Sequence, residues 1–232
     1  MIIRRSILYF FVIVLLPLQM SAQGPDTLVW RPQTARHGFR VFYTPILLSI
    51  GGIALNGNSR ESFKNELVEE RNEIIPRFKT TIDNYLQYSP VFIAYGLDAI
   101  GISSKTDLAN RTAILIKGEL AMITTVTLLK HLTHQLRPDG SSYTSFPSGH
   151  TAQAFAAATF LSEEYRDRFA WMPYAAYGTA ATVGLLRMAN NRHYISDVLL
   201  GAGIGILCQK GAYLTHRYRW NKHLHKSIAL NY

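Results

Sequence analysis

The sequence predicts an all-α protein, a helical bundle of about six core helices. Of the 232 residues, 48% are hydrophobic and only 17% are charged, and the apolar residues come in stretches long enough for helices. Most stretches are rich in Ala, Leu and Ile and lack the alternation of apolar and polar residues that is typical of half-buried strands. They lie at about 41–57, 89–102, 112–129, 150–162, 169–188 and 195–214.

The chain is long enough for one well-packed domain, preceded and followed by shorter segments. Its first residues have the plan of a secretory signal peptide: two arginines, an apolar run, and small residues before Gln23. An uncleaved anchor helix is the alternative. We therefore predict a signal peptide in 1–22, a loop and amphipathic helices in 23–84, the core in 85–214 and a basic-aromatic tail in 215–232.

The segment between the first two apolar stretches predicts two short amphipathic helices. Apolar residues recur there at helical spacing, and Pro76 is expected to break or kink the helix. These apolar residues are Phe63, Leu67, Ile74, Phe78, Ile82 and Tyr85. We expect the pair to lie on the surface, either as ordinary solvated helices or in contact with a membrane interface.

The composition leaves open whether the bundle crosses a lipid bilayer. A membrane span needs about 20 mostly apolar residues, but Lys117 and Glu119 interrupt the third stretch and Glu163 closes the fourth. Only 41–59 and 169–186 stay uncharged over a comparable length, and the mean hydropathy of +0.03 is marginal. The bundle is predicted to sit either in lipid or beside it.

The formal net charge of +9 at pH 7 indicates an anionic partner. Cleavage after residue 22 would remove Arg4 and Arg5 and lower this charge by two. No segment resembles a nucleic-acid-binding module, so we expect no nucleic acid and favour an anionic membrane surface or a phosphorylated substrate. Cys208 is the single cysteine, which excludes an intramolecular disulfide.

A first polar cluster, "KHLTHQLRP", contains Lys130 and Arg137. Seven residues are close to two helical turns, so the spacing predicts that both cations share one helix face. Pro138 predicts that the helix ends there. Taken alone, such a pair is typical of a solvated helix face.

A second cluster, "SFPSGHT", runs from Ser145 to Thr151 and opens onto an alanine-rich tract. A Pro-Ser-Gly turn before a helix presents backbone N–H groups and a hydroxyl where the helix dipole also favours an anion. His150 lies at the same helix mouth. We predict an anion-binding helix N-terminus here, although an ordinary turn has the same composition.

The third cluster, "LLRMANNRHYISDVLLG", places three charged or titratable residues within an apolar tract. Arg187 and His193 would fall on different faces of a continuous helix, so we expect residues 189–191 to form a loop. Asp197 follows His193 by four residues, within reach on one helical turn. A carboxylate there would fix the imidazole tautomer and leave the other ring nitrogen free as a nucleophile.

Taken together, the three clusters resemble the three-part signature of the type 2 phosphatidic acid phosphatase (PAP2) and vanadium haloperoxidase superfamily, in its lipid phosphatase branch. The matching motifs are Lys130-x6-Arg137-Pro138, Pro147-Ser148-Gly149-His150 and Arg187-x5-His193-x3-Asp197. The resemblance extends over roughly residues 85–214. One position departs from the family pattern, because Leu186 stands where a serine usually precedes the arginine.

The resemblance implies a role for each matching residue. His193 would attack phosphorus to form a phosphohistidine, Asp197 would orient it, and His150 would protonate the leaving alkoxide and later activate water. The phosphate would be held by the side chains of Lys130, Arg137, Arg187 and Ser148 and by the N–H of Gly149. No metal and no other cofactor is implied, and His131 and His134 receive no role.

We therefore expect an exported, metal-independent phosphatase that hydrolyses a phosphomonoester or pyrophosphate, carried on a lipid of the lipid A, undecaprenyl pyrophosphate or phosphatidate type. It would lie in the periplasm, at or in the inner membrane, with the active site facing the periplasm. The alternatives are a soluble periplasmic non-specific acid phosphatase, a vanadium haloperoxidase, and a catalytically inactive lipid-binding or structural protein.

Overall fold

A computed structural model describes residues 40–57, 59 and 61–217, and this part of the chain is all-α. A short 3-10 turn, Arg40–Phe42, leads into the first helix. The predicted fold class is confirmed. The helices are α1 (Tyr43–Ala54), α2 (Phe63–Ile74), α3 (Ile82–Leu86), α4 (Ser89–Ala99), α5 (Leu108–Thr133), α6 (Gly149–Tyr165), α7 (Met172–Ala189) and α8 (Ile195–Leu214).

Each of the six apolar stretches forms one helix: α1 and α4 to α8. The amphipathic segment forms the short helices α2 and α3, and the chain is non-helical around Pro76, as predicted. The predicted signal peptide and most of the predicted tail lie outside the described residues.

The helix α5 ends earlier than the sequence predicts, and the expectation that Lys130 and Arg137 share a helix face is wrong. His134 adopts a left-handed conformation with φ of 43°, which ends the helix at Thr133. The chain then forms a turn in which the N–H of Arg137 donates to the carbonyl of Ser142 at 2.9 Å. Arg137 therefore belongs to a loop, four residues beyond the helix.

The helix α6 is the centre of the bundle, because almost all of its residues are buried. It packs against α4, α5, α7 and α8. Its alanines, including Ala152, Ala156 and Ala157, are fully buried. Small side chains on this helix let four neighbours approach its backbone, so the alanine-rich composition is a packing requirement.

Glycines allow α8 to lie directly against two other helices. A Cβ atom on Gly201 would lie 2.5 Å from the carbonyl oxygen of Ser148, and one on Gly205 would overlap the carbonyl oxygen of Ala152. On another face of α8, a Cβ on Gly203 would lie 2.7 Å from the carbonyl oxygen of Pro45 in α1. The backbone of α8 is thereby held between α1 and α6.

Two of the described helices, α5 and α8, are long and apolar enough to cross a membrane by length and composition. Lys117 and Glu119, which were expected to interrupt the third apolar stretch as a span, both lie within α5, and Glu119 accepts a hydrogen bond of 2.7 Å from Gln153 of α6. The most apolar 18 residues of the two helices differ in burial. In α5, 22% of this stretch is buried inside the protein, and in α8 the share is 67%.

The close contact between α6 and α8 makes Gly205 sensitive to the addition of a single methyl group. We expect Gly205→Ala to destabilise the fold by about 1–3 kcal/mol, because the added Cβ meets backbone that cannot move aside. The measurement is the thermal unfolding midpoint by circular dichroism.

Gly211→Ala is the matched control on the same helix, since nothing lies within 4 Å of its added Cβ. It should keep or raise the unfolding midpoint, because alanine is favoured over glycine in a helix by about 1 kcal/mol. Equal midpoints for the two variants would contradict the packing described here.

Candidate active site

The three polar clusters meet at the ends of four helices. Lys130 lies in the last turn of α5 and Arg187 in the last turn of α7, while Gly149 begins α6 and Asp197 lies in the first turn of α8. The N–H of Ser148 donates to the carbonyl of Asp197 at 3.0 Å, which joins the starts of α6 and α8. The site thus combines two helix N-termini with two cationic side chains.

His193 and Asp197 form the buried pair that the sequence predicts. His193 precedes α8, and its Nδ1 lies 3.2 Å from Oδ2 of Asp197. Both side chains are almost inaccessible, at 2% and 0% exposure. A carboxylate can only accept, so Nδ1 carries the proton and the lone pair of Nε2 is left for chemistry.

Asp197 is held by further donors that the motif does not contain. Its Oδ2 accepts 3.0 Å from the N–H of Tyr194 and 2.5 Å from the hydroxyl of the buried Ser145, and its Oδ1 accepts 3.2 Å from Ser196. These bonds fix the carboxylate, and hence the imidazole ring, in one orientation. Ser145 is therefore a supporting residue to which the sequence analysis assigned no role.

Burial keeps the imidazole of His193 neutral. It lowers the pKa of His193 to about 4, and the charges of Lys130 and Arg187 act in the same direction, while Asp197 raises it. At neutral pH the ring is unprotonated at Nε2, which is the state that a nucleophile requires.

The Pro-Ser-Gly turn forms a helix N-terminus, as predicted. Ser148 caps α6, with its hydroxyl 2.8 Å from the hydroxyl of Thr151. A Cβ on Gly149 would lie 3.9 Å from Cε of Lys130, so the lysine stem passes beside the first residue of the helix. The Ser148 hydroxyl contacts Thr151 within the helix cap, so its contact with phosphate stays a prediction.

The loop after α5, and not a helix face, brings Lys130 and Arg137 together. The Nζ of Lys130 donates to the carbonyl of Thr144, and Nη2 of Arg137 lies 3.4 Å from the Thr144 hydroxyl. Burial lowers the pKa of Arg137, and the charge of Arg187 lowers it further. Within the described residues, the buried Nε atoms of Arg137 and Arg187 have no hydrogen-bond partner.

An ion pair that the sequence did not predict joins the site to α3. The Nη1 of Arg187 donates to Oδ2 of Asp83 at 2.6 Å, and both side chains are buried. The Oδ1 of Asp83 accepts from Asn190 at 3.2 Å. No motif marks Asp83, which is one of several acidic residues in the amphipathic segment.

The amphipathic segment buries one of its carboxylates and exposes most of its large apolar side chains. Asp83 is fully buried, whereas Ile82 and Tyr85 on the same short helix are 60% and 78% exposed. Phe63, Ile74 and Phe78 are exposed as well. Asp83 therefore faces the site, while the outward surface of the segment carries these apolar side chains together with charged ones such as Glu66 and Arg77.

His150 also contacts α3. Its Nε2 lies 2.9 Å from Oδ1 of Asn84. Burial lowers the pKa of His150 to about 4; the charges of Arg187 and Arg137 lower it further, and Asp83 raises it.

A cavity of about 1000 Å³ opens beside these residues. Arg137, His150 and Arg187 line it together with Lys79 and Arg192. Asp139 is the single acidic residue in this lining and is paired with Arg192 at 3.0 Å. The cavity wall is therefore strongly positive and suits an anionic ligand.

The remaining residues of interest lie at the margin of the site. His134 stacks on Tyr143 with ring centroids 5.0 Å apart, and His131 is exposed. Leu186 is half-buried and offers only its backbone carbonyl, which accepts from the N–H of Asn190 at 2.8 Å.

Part of this chain is similar to known proteins. Residues 112–221 match the family model of the PAP2 superfamily. A lipid A 1-phosphatase from Porphyromonas gingivalis is 39% identical over 133 residues, which are 56% of this chain and 29% of that protein. The matched region thus spans less than a third of that relative.

Two solved structures are similar at lower identity. Aquifex aeolicus LpxE is 24% identical with a TM-score of 0.48, over 63% of this chain and 94% of that one. A transmembrane PAP2-type phosphatidylglycerolphosphate phosphatase from Bacillus subtilis is 20% identical with a TM-score of 0.47, over 76% of this chain and all of that one.

The buried pair makes a prediction about proton binding. We expect His193 in the native protein to titrate at about pH 4, as measured by NMR on isotope-labelled histidine, with its signal assigned from the His193→Gln variant. Asp197→Asn should lower this pKa further, because it removes a negative charge that stabilises the imidazolium. Titration of His193 at its ordinary pKa of about 6.5 would contradict the burial and pairing.

Proposed function

We propose that this chain is a phosphatase that hydrolyses a phosphomonoester or pyrophosphate on a lipid through a phosphohistidine, because residues 112–221 match the family model of the PAP2 superfamily. One observation carries the proposal: the buried His193–Asp197 pair lies among the cations Lys130, Arg137 and Arg187. A neutral imidazole next to clustered positive charge is suited to attack an anionic phosphoryl group.

The first step forms a bond between Nε2 of His193 and phosphorus as the bond to the leaving oxygen breaks. The ring acquires positive charge in this step, because its Nδ1 remains protonated. The carboxylate of Asp197 is placed to offset that charge across the 3.2 Å contact. Water then attacks the phosphohistidine and returns His193 to its neutral state.

The leaving oxygen takes a proton from His150 in the first step. With a pKa of about 4, His150 is neutral at neutral pH before substrate binds. A bound phosphate would bring negative charge among the cations that lower this pKa, so substrate itself raises the protonated fraction of His150. After the leaving group departs, neutral His150 acts as the base for the attacking water.

The cations stabilise the charge on the phosphate oxygens in the transition state. Arg137 and Arg187 each keep a buried Nε–H that no group in the described chain accepts, and a phosphate oxygen would satisfy these donors. Cationic side chains thus supply the stabilisation that a metal ion supplies elsewhere. In the described part of the chain, no group of three or more His, Cys, Asp or Glu side chains could hold a metal ion.

The apolar surface supports a lipid substrate and a membrane location. Several large apolar side chains of the α2–α3 segment are exposed, and one of them, Phe78, lines the cavity. The helix α5 also exposes a row of large apolar side chains: Ile116, Leu120, Ile123, Leu128 and Leu132. A soluble monomer rarely exposes so much contiguous apolar surface, so we propose that these faces contact lipid.

The 1-phosphate of lipid A is the first substrate to test, because the similar protein from Porphyromonas gingivalis is named for that activity. The positive cavity is large enough for part of a head group beyond the phosphate itself. We also propose export and a periplasmic active site, on the basis of the first 22 residues.

The central prediction concerns the two histidines. His193→Ala should reduce phosphate release by at least about 10³-fold, because the nucleophile is lost. His150→Ala should reduce it by about 10²–10⁴-fold, because the leaving oxygen is no longer protonated. Phosphate release by the purified proteins would be measured on lipid A, undecaprenyl pyrophosphate, phosphatidic acid and an aryl phosphate.

His131→Ala is the matched control, since this exposed histidine of α5 has no role in the site. It should retain wild-type activity, and EDTA should leave the wild-type rate unchanged. Near-normal activity of folded His193→Ala would refute the mechanism, and faster turnover of the aryl phosphate than of any lipid would refute the lipid specificity.

A further inference from the structure

The helix α3 carries two adjacent side chains that each hold one residue of the PAP2 motifs, although α3 lies outside the matched region. We propose that Asn84 and Asp83 are positioning residues: Asn84 orients His150 so that its Nδ1 faces the leaving oxygen, and Asp83 orients the guanidinium of Arg187. The proposal rests on the function proposed above and adds two residues to its machinery.

The contact between Asn84 and His150 determines which ring nitrogen can donate to substrate. The Oδ1 atom of an amide can only accept, so the 2.9 Å contact requires that Nε2 of His150 carries a proton. In the neutral ring Nδ1 is then unprotonated, and in the imidazolium Nδ1–H is the donor that remains available. Asn84 therefore directs acid and base chemistry to Nδ1.

Two different partners suit the two histidines to their different tasks. His193 has a carboxylate partner, which stabilises the cation formed when it attacks phosphorus. His150 has a neutral amide partner, which orients the ring and adds no negative charge that would hold its proton. The acid is oriented and still releases its proton readily.

Asp83 performs the corresponding task for Arg187. Its two carboxylate oxygens bind different groups: Oδ2 accepts from Nη1 of Arg187 and Oδ1 accepts from Asn190. The position of Nη1 is thereby fixed, and the buried Nε–H finds no acceptor among the described residues. A guanidinium can donate two hydrogen bonds to one phosphate, and the guanidinium of Arg187 is already oriented before phosphate binds.

Several bonds fix α3 on the loop between α7 and α8. The N–H and carbonyl of Thr80 bond to the side chain of Asn190 at 2.8 and 2.9 Å, and Arg71 of α2 donates to the carbonyl of Ala189 at 2.6 Å. This loop lies between Arg187 and His193. The α2–α3 segment is therefore hydrogen-bonded to the backbone and side chain of the third motif itself.

The charges around His150 come from four parts of the chain. Arg187 of α7, Arg137 of the loop after α5 and His193 lower its pKa, and Asp83 of α3 raises it. Asn84→Asp would add a second negative charge at hydrogen-bond distance, and Asp83→Asn would remove the first. The two variants should therefore shift the pKa of His150 in opposite directions.

The first test compares leaving groups. Asn84→Ala should reduce kcat by about 10- to 100-fold for a lipid phosphomonoester, whose alkoxide needs a proton, and by less than about 3-fold for dinitrophenyl phosphate, whose leaving group does not. Asn84→Asp keeps an oxygen acceptor that orients the ring, but its charge holds the proton more tightly, so it should recover only part of the lipid activity that Asn84→Ala loses. Equal losses on both esters would show a merely structural role and overturn the proposal.

The second test does not depend on turnover. NMR titration should show that the pKa of His150 rises in Asn84→Asp and falls in Asp83→Asn, relative to wild type. Asn65→Asp is the matched control, because the side chain of Asn65 in α2 donates to the carbonyl of Ser59 instead. An unchanged His150 titration in folded Asn84→Asp would overturn the proposal.

The two tests separate this inference from the proposed function. If wild type releases no phosphate from any ester while His150 titrates as predicted, the phosphatase function fails and the orienting contacts stand. If wild type and Asn65→Asp are active and Asn84→Ala equals them on both esters, the function stands and the inference fails.

Discussion

The structure depends on the close approach of α6 and α8. Gly201 and Gly205 remove the side chains that would separate the two backbones, and the N–H of Ser148 then reaches the carbonyl of Asp197. This single contact sets the spacing between the anion-binding helix mouth and the His193–Asp197 pair. A methyl group added at either glycine would push the two helices apart and misalign the two motifs. Small misplacements of this kind strongly reduce catalysis.

Without substrate, the positively charged side chains of the site repel one another. Lys130 and Arg137 are half-buried, and burial and neighbouring positive charges lower the pKa values of both. The charges of Lys130 and Arg187 also lower the pKa of the buried His193. Asp83 and Asp197 offset part of this charge, each held by several hydrogen bonds. A phosphate would offset the remainder, so the same repulsion that weakens the empty site favours the anionic substrate and its transition state.

The sequence was sufficient to predict the helical fold, the six core helices and the contact between His193 and Asp197, because apolar stretches and short-range spacing carry that information. It was insufficient where a residue's role depends on distant partners. Periodicity predicted that Arg137 shares a helix face with Lys130. The left-handed conformation of His134 ends the helix and places Arg137 in a loop instead. The burial of Asp83 and the exposure of Ile82 depend on packing against the loop after α7, more than 100 residues away, which local amphipathicity cannot show.

The phosphohistidine mechanism is tested most directly by trapping the covalent intermediate on His193. Protein would be mixed with a radiolabelled lipid phosphomonoester, quenched in alkali, in which phosphohistidine survives, and digested to locate the label. The phosphohistidine mechanism predicts acid-labile label on the peptide that contains His193, present in wild type and absent from His193→Ala. Label on another residue, or turnover without any labelled protein in wild type, would contradict the phosphohistidine mechanism.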